Sequence, residues 1–397
     1  MFRFIVVKKG TIILPIIVIS QFCCTTLWFV GNGVINDLIE NFNLNSNALG
    51  LLTSGVQFGF IIGTLTFAIL TIADRFSPSK VFFTSALLGA FLNLGILWEG
   101  NNLITLLSIR FLTGFFLAGI YPVGIKIAVD YFESSLGKSL GFLVGALVLG
   151  TAFPHLLKDV TNFHEWRNVL IITSILAGFG GFIMLLFVPD GPYRKPSQKV
   201  NVFAFLNVFK HKKFRSAAFG YFGHMWELYA FWTFVPVILT KYSMQQQISF
   251  NIPFLSFLII GVGSLACVTS GYISKSIGVK RTAFGSLFLS CLCCIISPLL
   301  LTSDYEIALI VFFLFWGMVV VADSPLLSTL VAQNALLELK GTAITIVNCI
   351  GFSITIISIQ LINSLTNFTD SNFMYMILAI GPILGLISLR KKKKIIS

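Results

Sequence analysis

His224 and Glu227 lie three residues apart in the stretch Gly220-Tyr-Phe-Gly-His-Met-Trp-Glu-Leu-Tyr-Ala-Phe-Trp232, inside an otherwise apolar run. On a helix that spacing puts both side chains on nearly one face, a turn apart. An imidazole beside a carboxyl group is chemistry for holding and passing a proton. A carboxyl surrounded by hydrocarbon persists only if it is protonated, paired or wetted. One reading makes Glu227 a proton carrier with His224 as its relay. The other makes Glu227 half of a structural pair, with His224 or an arginine, that locks helices together. Gly220 and Gly223 share that side and allow either close packing or a cavity.

Three further charged residues interrupt apolar runs: Arg110, Lys126 and Asp323. Arg110 shares a face with Gly114, Ala118 and Tyr121. It either meets an anionic substrate, sets the charge of a nearby acid, or packs on backbone. Lys126 has Asp130 four residues on and is expected to snorkel and pair with it. Asp323 stands in Ala322-Asp-Ser-Pro325, where Ser324 as N-cap and Pro325 behind it predict an interrupted helix. Such a helix end either faces an anion in a cavity or is an ordinary kink. Trp28, Asn32, Gln57, Tyr121, Trp226, Asn348 and Gln360 are candidate cavity linings, each also explicable as an interhelical contact. The histidines His155, His164, His211 and His224 are scattered, with no acids at metal or nucleophile spacing, and all seven cysteines fall in apolar runs. No metal, cofactor or enzymatic centre is expected.

The elements that must position these residues follow from composition. The chain has 397 residues, 56% hydrophobic and 11% charged, against about 25% charged in soluble proteins. Its solvent is therefore lipid. A spanning helix needs about 20 mostly apolar residues. Twelve such runs are read, near 11–34, 47–72, 81–98, 103–129, 137–156, 167–188, 216–240, 252–274, 281–302, 305–330, 341–366 and 371–388. With the N-terminus inside, the inner segments hold 22 Lys and Arg and the outer loops three. That asymmetry predicts both termini in the cytoplasm of a multi-pass plasma (inner) membrane protein. The net charge of +12 is then an insertion signal, and nucleic acid is not an expected partner. The basic stretch 189–215 separates two sets of six spans, 1–188 and 216–397, and its apolar piece Val200–Phe209 is suited to lie on the inner leaflet.

The two sets repeat. Leu70-Thr-Ile-Ala-Asp-Arg-Phe-Ser-Pro-Ser-Lys80 and Gly271-Tyr-Ile-Ser-Lys-Ser-Ile-Gly-Val-Lys-Arg281 correspond at an offset of 201 residues. Both resemble the G-x-x-x-D-R-x-G-R-K/R loop of the major facilitator superfamily, the first through Asp74, Arg75 and Lys80, the second through Gly271, Gly278, Lys280 and Arg281. Arg110-Phe-Leu-Thr-Gly114 is similar to that family's fourth-span pattern. The resemblance implies an all-α membrane fold of two pseudo-symmetric six-helix bundles, working as a monomer. It also implies a gating role for the loop, in which Arg75 and Lys80 are expected to pair with Asp130 or Glu133.

What the resemblance implies for function is secondary transport of a small solute by alternating access. Proton coupling through Glu227 is the favoured mechanism, since no G-x-x-x-x-G-K-[ST] loop for ATP is present. Arg110 and the helix end at Asp323 lean towards a small organic anion. Spans 47–72 and 252–274 contain no Arg, unlike nitrate porters of the family. Gly150-Thr-Ala-Phe-Pro-His155 replaces the G-P-x-x-G-G of many drug–proton antiporters, which leaves drug or metabolite efflux as the alternative. A membrane enzyme and a transporter-like sensor are the remaining classes. Solute flux in vesicles separates them.

Overall fold

Apolar runs of this length have no water to satisfy their backbone, so they close their own hydrogen bonds as helices. The computed structural model describes residues 2–132, 136–160, 165–194, 205–336 and 339–390. No strand occurs among the described residues. The spans in order are Phe2–Thr25, Ala48–Ile69, Pro78–Leu97, Leu103–Tyr131, Leu136–Val160, Trp166–Phe187, Lys212–Gln246, Ile252–Ile277, Val279–Leu301, Glu306–Asn334, Lys340–Phe368 and Asn372–Leu389. Ten helices are long and apolar enough to cross a membrane, by length and composition. The shorter apolar stretch Ile12–Thr25 and the 35-residue Lys212–Gln246 complete the expected twelve.

Several edges differ from expectation, each for a physical reason. The first span ends at Thr25, before the expected 34, and the chain continues as the short helices Val30–Gly33 and Ile35–Asn41. Carbonyls near that break are taken by Arg110, described below. The fourth span breaks between Leu117 and Tyr121, just before Pro122, which has no N–H and crowds the preceding turn. The tenth breaks at Asp323, as expected, but Asp323 occupies the cap position and Ser324 is already helical. Of the apolar piece at 200–209, Phe205–Lys210 is helical, with Phe209 against Phe214 and Phe222 of the seventh span. Residues 195–204 lie outside the described residues.

Spans two and four, three and six, and one and six lie together in the first half; seven and twelve, nine and twelve, and eight and ten in the second. The halves meet along spans two against eleven and five against eight. One close approach mediated by glycine recurs in both halves. A Cβ on Gly114 would strike the Val56 carbonyl, and one on Gly317 the Ile259 carbonyl. Both members of the second pair lie 203 residues after their counterparts in the first, as Pro325 does after Pro122. The duplication thus reaches the level of individual helix contacts.

Gly114→Val and Gly317→Val are therefore expected to force two backbones apart, at a cost of about 3 kcal/mol or more where no side chain can give way. Gly285, whose added Cβ meets nothing within 4 Å, should accept alanine. Thermal melting of the detergent-purified variants checks the contrast. Equal melting of all three would remove the close-packing argument.

Candidate functional site: a central cavity and a buried polar cluster

A cavity of about 750 Å³ lies between the halves. Its walls include Phe132, Tyr193 and Lys340, all at or beyond helix ends on the side carrying the basic loops, so it reaches that basic end. The opposite end is shut. Gln360 donates to Ser54 Oγ at 2.8 Å, and Asn363 and Asn367 donate to Asn47 Oδ1 at 3.1 and 2.7 Å. Asn251 also donates to Asp159 at 2.6 Å, joining spans eight and five.

Aromatic rings from both halves form the cavity floor. Trp28 stacks on Phe352 with ring centres 5.7 Å apart, and Tyr229 lies 5.3 Å from Phe352 and 5.2 Å from Trp232. Tyr121, Tyr221 and Asn348 line the walls above. The breaks in spans four and ten place Tyr121, Pro122 and Ser324 in the wall.

Glu227 is elsewhere. It is buried on the side of the seventh span away from this cavity, among spans nine and ten. Its Oε1 accepts from Ser290 Oγ at 2.5 Å, Trp316 Nε1 at 2.7 Å and Cys294 Sγ at 3.2 Å. Ser290 and Cys294 sit one turn apart on one helix face, which is why both reach the same oxygen. His224 does not pair with Glu227. Its Nδ1 lies 2.8 Å from Asp323 Oδ1, both side chains 1% exposed. Asp323 is within electrostatic reach of Glu227, so the three ionisable groups form one buried cluster in the second half. Gly220 and Gly223 pack on Leu389 and Gly381 of the twelfth span, closing that side rather than leaving a cavity.

Arg110 is 1% exposed and spends its guanidinium on backbone. Nη1 donates to the Leu27 carbonyl at 3.0 Å and Nη2 to the Trp28 carbonyl at 2.5 Å. It thereby satisfies carbonyls released where the first span breaks. Lys126 pairs with Asp74 at 2.7 Å, not with Asp130, which corrects the local i,i+4 expectation. The Asp74 loop is further held by Arg194, which donates to the carbonyls of Asp74 and Phe76, and by Ser77, which donates to Asp190. No pair of Arg75 or Lys80 with Asp130 is present among the described residues, and Glu133 lies outside them. In the second half, Gly271 is buried and Gly278 takes φ +96°, ending the eighth span, while Lys280 and Arg281 are exposed.

A sequence profile described as "Major Facilitator Superfamily" matches residues 17–359. The chain belongs to the Major Facilitator Superfamily. It is 27% identical over 157 residues to a probable galactarate/D-glucarate transporter, GudP, of Bacillus subtilis (strain 168), covering 38% of this chain and 33% of that one. It is 28% identical over 199 residues to the niacin transporter NiaP of Acinetobacter baylyi (strain ATCC 33305 / BD413 / ADP1), covering 44% and 43%. The matched stretches thus span less than half of either relative. A crystal structure of the nucleoside transporter NupG superposes with a TM-score of 0.71 over 95% of this chain and 98% of that one, at 14% identity. The shared architecture is that of a multi-pass membrane fold.

Of the candidate linings, this superfamily member places Tyr121 and Asn348 in the cavity wall and Trp28 within its floor cluster. Asn32 donates to Thr53 at 2.9 Å and Trp226 to the Ile377 carbonyl at 3.1 Å, so both join helices. Gln57 is fully buried outside the wall. Sequence reading missed Tyr221, Tyr229, Trp232, Phe352 and Lys340. A signal existed: Tyr221, Met225, Leu228 and Trp232 repeat at helical spacing along one stripe of the seventh span.

Trp316→Phe and Ser290→Ala each remove a donor from Glu227, and each should cost about 1–3 kcal/mol of stability. Arg110→Ala strips two carbonyls at once and should lower the melting temperature further. Melting curves of the purified variants decide; unchanged curves would mean that these contacts carry no weight.

Proposed function

We propose that this chain carries a small organic anion across a membrane by alternating access, coupled to proton movement. The observation that carries the reading is the 750 Å³ cavity, reaching one end of the molecule while an amide ladder shuts the other. That is the form expected of a carrier open to one side. Rocking of 1–188 against 216–397 would expose the same cavity to the other side. The Lys and Arg distribution supports a basic end, and both termini, on the cytoplasmic side of the plasma membrane. The working unit is a monomer.

An anion is favoured by the wall's own charge. Lys126 and Lys340 face it, against Asp130 alone among the described residues. Galactarate, glucarate and niacin, the solutes in the relatives' names, all bear carboxyl groups. Arg110, engaged with backbone, is assigned to packing. Coupling is assigned to the cluster of Glu227, His224 and Asp323. It lies between spans seven, nine and ten, where movement of one helix breaks the hydrogen bonds that hold the acid. The Asp74 loop is assigned to the cytoplasmic gate.

Uptake into reconstituted vesicles under an imposed pH gradient tests this. Galactarate or nicotinate should accumulate, and Glu227→Gln should abolish accumulation while sparing exchange of labelled for unlabelled solute. Undiminished accumulation in that variant would remove Glu227 from the mechanism. Uptake of uridine with no uptake of acids would overturn the anion reading.

A further inference from the structure

The face of span two that meets span eleven is set out by spacing. Asn47, Gly50, Ser54, Gln57 and Ile61 follow one another at alternating intervals of three and four residues, which aligns them on one side of a helix. Every one of them except Gln57 has a contact on span eleven. Asn47 accepts from Asn363 and Asn367, and Ser54 accepts from Gln360. A Cβ on Gly50 would strike the Asn363 side chain, and the Ile61 carbonyl faces Cys349 Sγ. As numbers rise on span two they fall on span eleven, so the two run antiparallel and Gln57 falls opposite residues 355 and 356. There stand Ile356 and Thr355, whose hydroxyl donates to the Phe352 carbonyl of its own helix.

Gln57 is 0% exposed, and neither its Nε2 nor its Oε1 has a hydrogen-bond partner among the described residues. A buried amide left unpaired is costly, and native proteins keep few of them. Leucine in its place would close the two halves together without that cost. The shut ladder therefore gives no reason for a glutamine here, but its depth does. Phe60, three residues on and about 4.5 Å nearer the cavity, meets Phe352 with ring centres 4.5 Å apart. Phe352 lines the cavity. Gln57 thus lies just behind this pair of rings, on the ladder side. Trp28, whose ring is 4.8 Å from Phe60, also has a buried N–H without a partner among the described residues. Parting of the ladder separates spans two and eleven along this stripe, and Gln57 becomes the deepest polar group that the new cleft reaches before the rings.

We propose that Gln57 is a solute-binding residue of the opposite-facing form, in which the parted ladder uncovers its amide to a solute entering from that side. Nε2 then donates to a carboxylate or carbonyl oxygen of the solute, and Oε1 accepts from a hydroxyl or N–H group. This rests on the alternating-access reading above and adds to it a contact that the cavity open to the basic end does not contain. The solute loses this bond on moving to the basic end, so the two ends of its path differ in affinity.

Three measurements on the full chain test the proposal. Gln57→Leu removes both unpaired atoms, and the detergent-purified variant should melt about 2 °C or more above the parent. An unchanged or lower melting temperature would mean that the amide is satisfied in the shut form, by a structural water only, and would overturn the proposal. Gln57→Cys should react with a membrane-impermeant thiol reagent applied from the ladder end of oriented vesicles, and nicotinate should slow that reaction several-fold. Six of the seven native cysteines are buried, and the parent supplies the background. No reaction from that end, or reaction without protection, would overturn the assignment. The third measurement is the ratio of inhibition constants for nicotinate and neutral nicotinamide applied from the ladder end, in which any change in the balance between the two forms cancels. Gln57→Glu should shift this ratio against nicotinate at least ~10-fold, since a carboxyl replaces the donor that meets the anion. Where that variant does not fold, Gln57→Leu should shift the ratio the same way several-fold. An unchanged ratio would mean that Gln57 touches no solute. Carriage of uridine and no acid would overturn the organic-anion reading, while the thiol reaction and its protection by uridine would still decide this one.

Discussion

Every backbone N–H and C=O in a bilayer has to find its partner inside the protein. That constraint makes a helix break costly and explains where breaks occur here. The first span can stop at Thr25 because the Arg110 guanidinium takes up the carbonyls of Leu27 and Trp28. Spans four and ten break next to Pro122 and Pro325, where an N–H is missing in any case. The residues at those two breaks then face the cavity. The interior space of this superfamily member is thus built from imperfections in its helices, each satisfied by a named partner or by the chemistry of proline.

How much of this was legible in the sequence depends on range. Long-range apolar runs gave the twelve spans, and a repeated loop gave the two halves. The repeat is firmer in the structure, where Gly114 on Val56 and Gly317 on Ile259 are the same contact made twice. Depth was legible for Glu227, His224, Arg110 and Asp323, because a polar residue inside an apolar run is visible as such. Direction was not. The seventh span is apolar on every face, so periodicity separates the Tyr221–Trp232 stripe from the Gly220–Glu227 stripe without saying which one meets open space. Lys126 shows the same limit. Local spacing offered Asp130, but a loop from after the second span delivered Asp74, and nothing in the order of residues ranks a neighbour in space against a neighbour in sequence.

Glu227 illustrates a second point about buried acids. Its hydrogen-bonded oxygen is held by a hydroxyl, a thiol and an indole. No cation touches it among the described residues. Neutral donors hold the group in place without fixing its charge, so the same cage accommodates either protonation state at far lower cost than a salt bridge would. All of its partners belong to the second half. Whatever Glu227 does is therefore reported first as strain among spans seven, nine and ten, and only afterwards as motion between the halves.

The shut end of the cavity is fastened mainly by asparagine, glutamine and serine, with one carboxylate, Asp159, accepting from Asn251 across the halves. Parting these amides exchanges bonds to each other for bonds of similar strength to water. The fastening is consequently cheap to undo, and dissolved ions have little in it to screen beyond the Asp159 carboxylate. Because the side chains that change partners when it parts are neutral apart from Asp159, the electric field across the bilayer performs little work on this step.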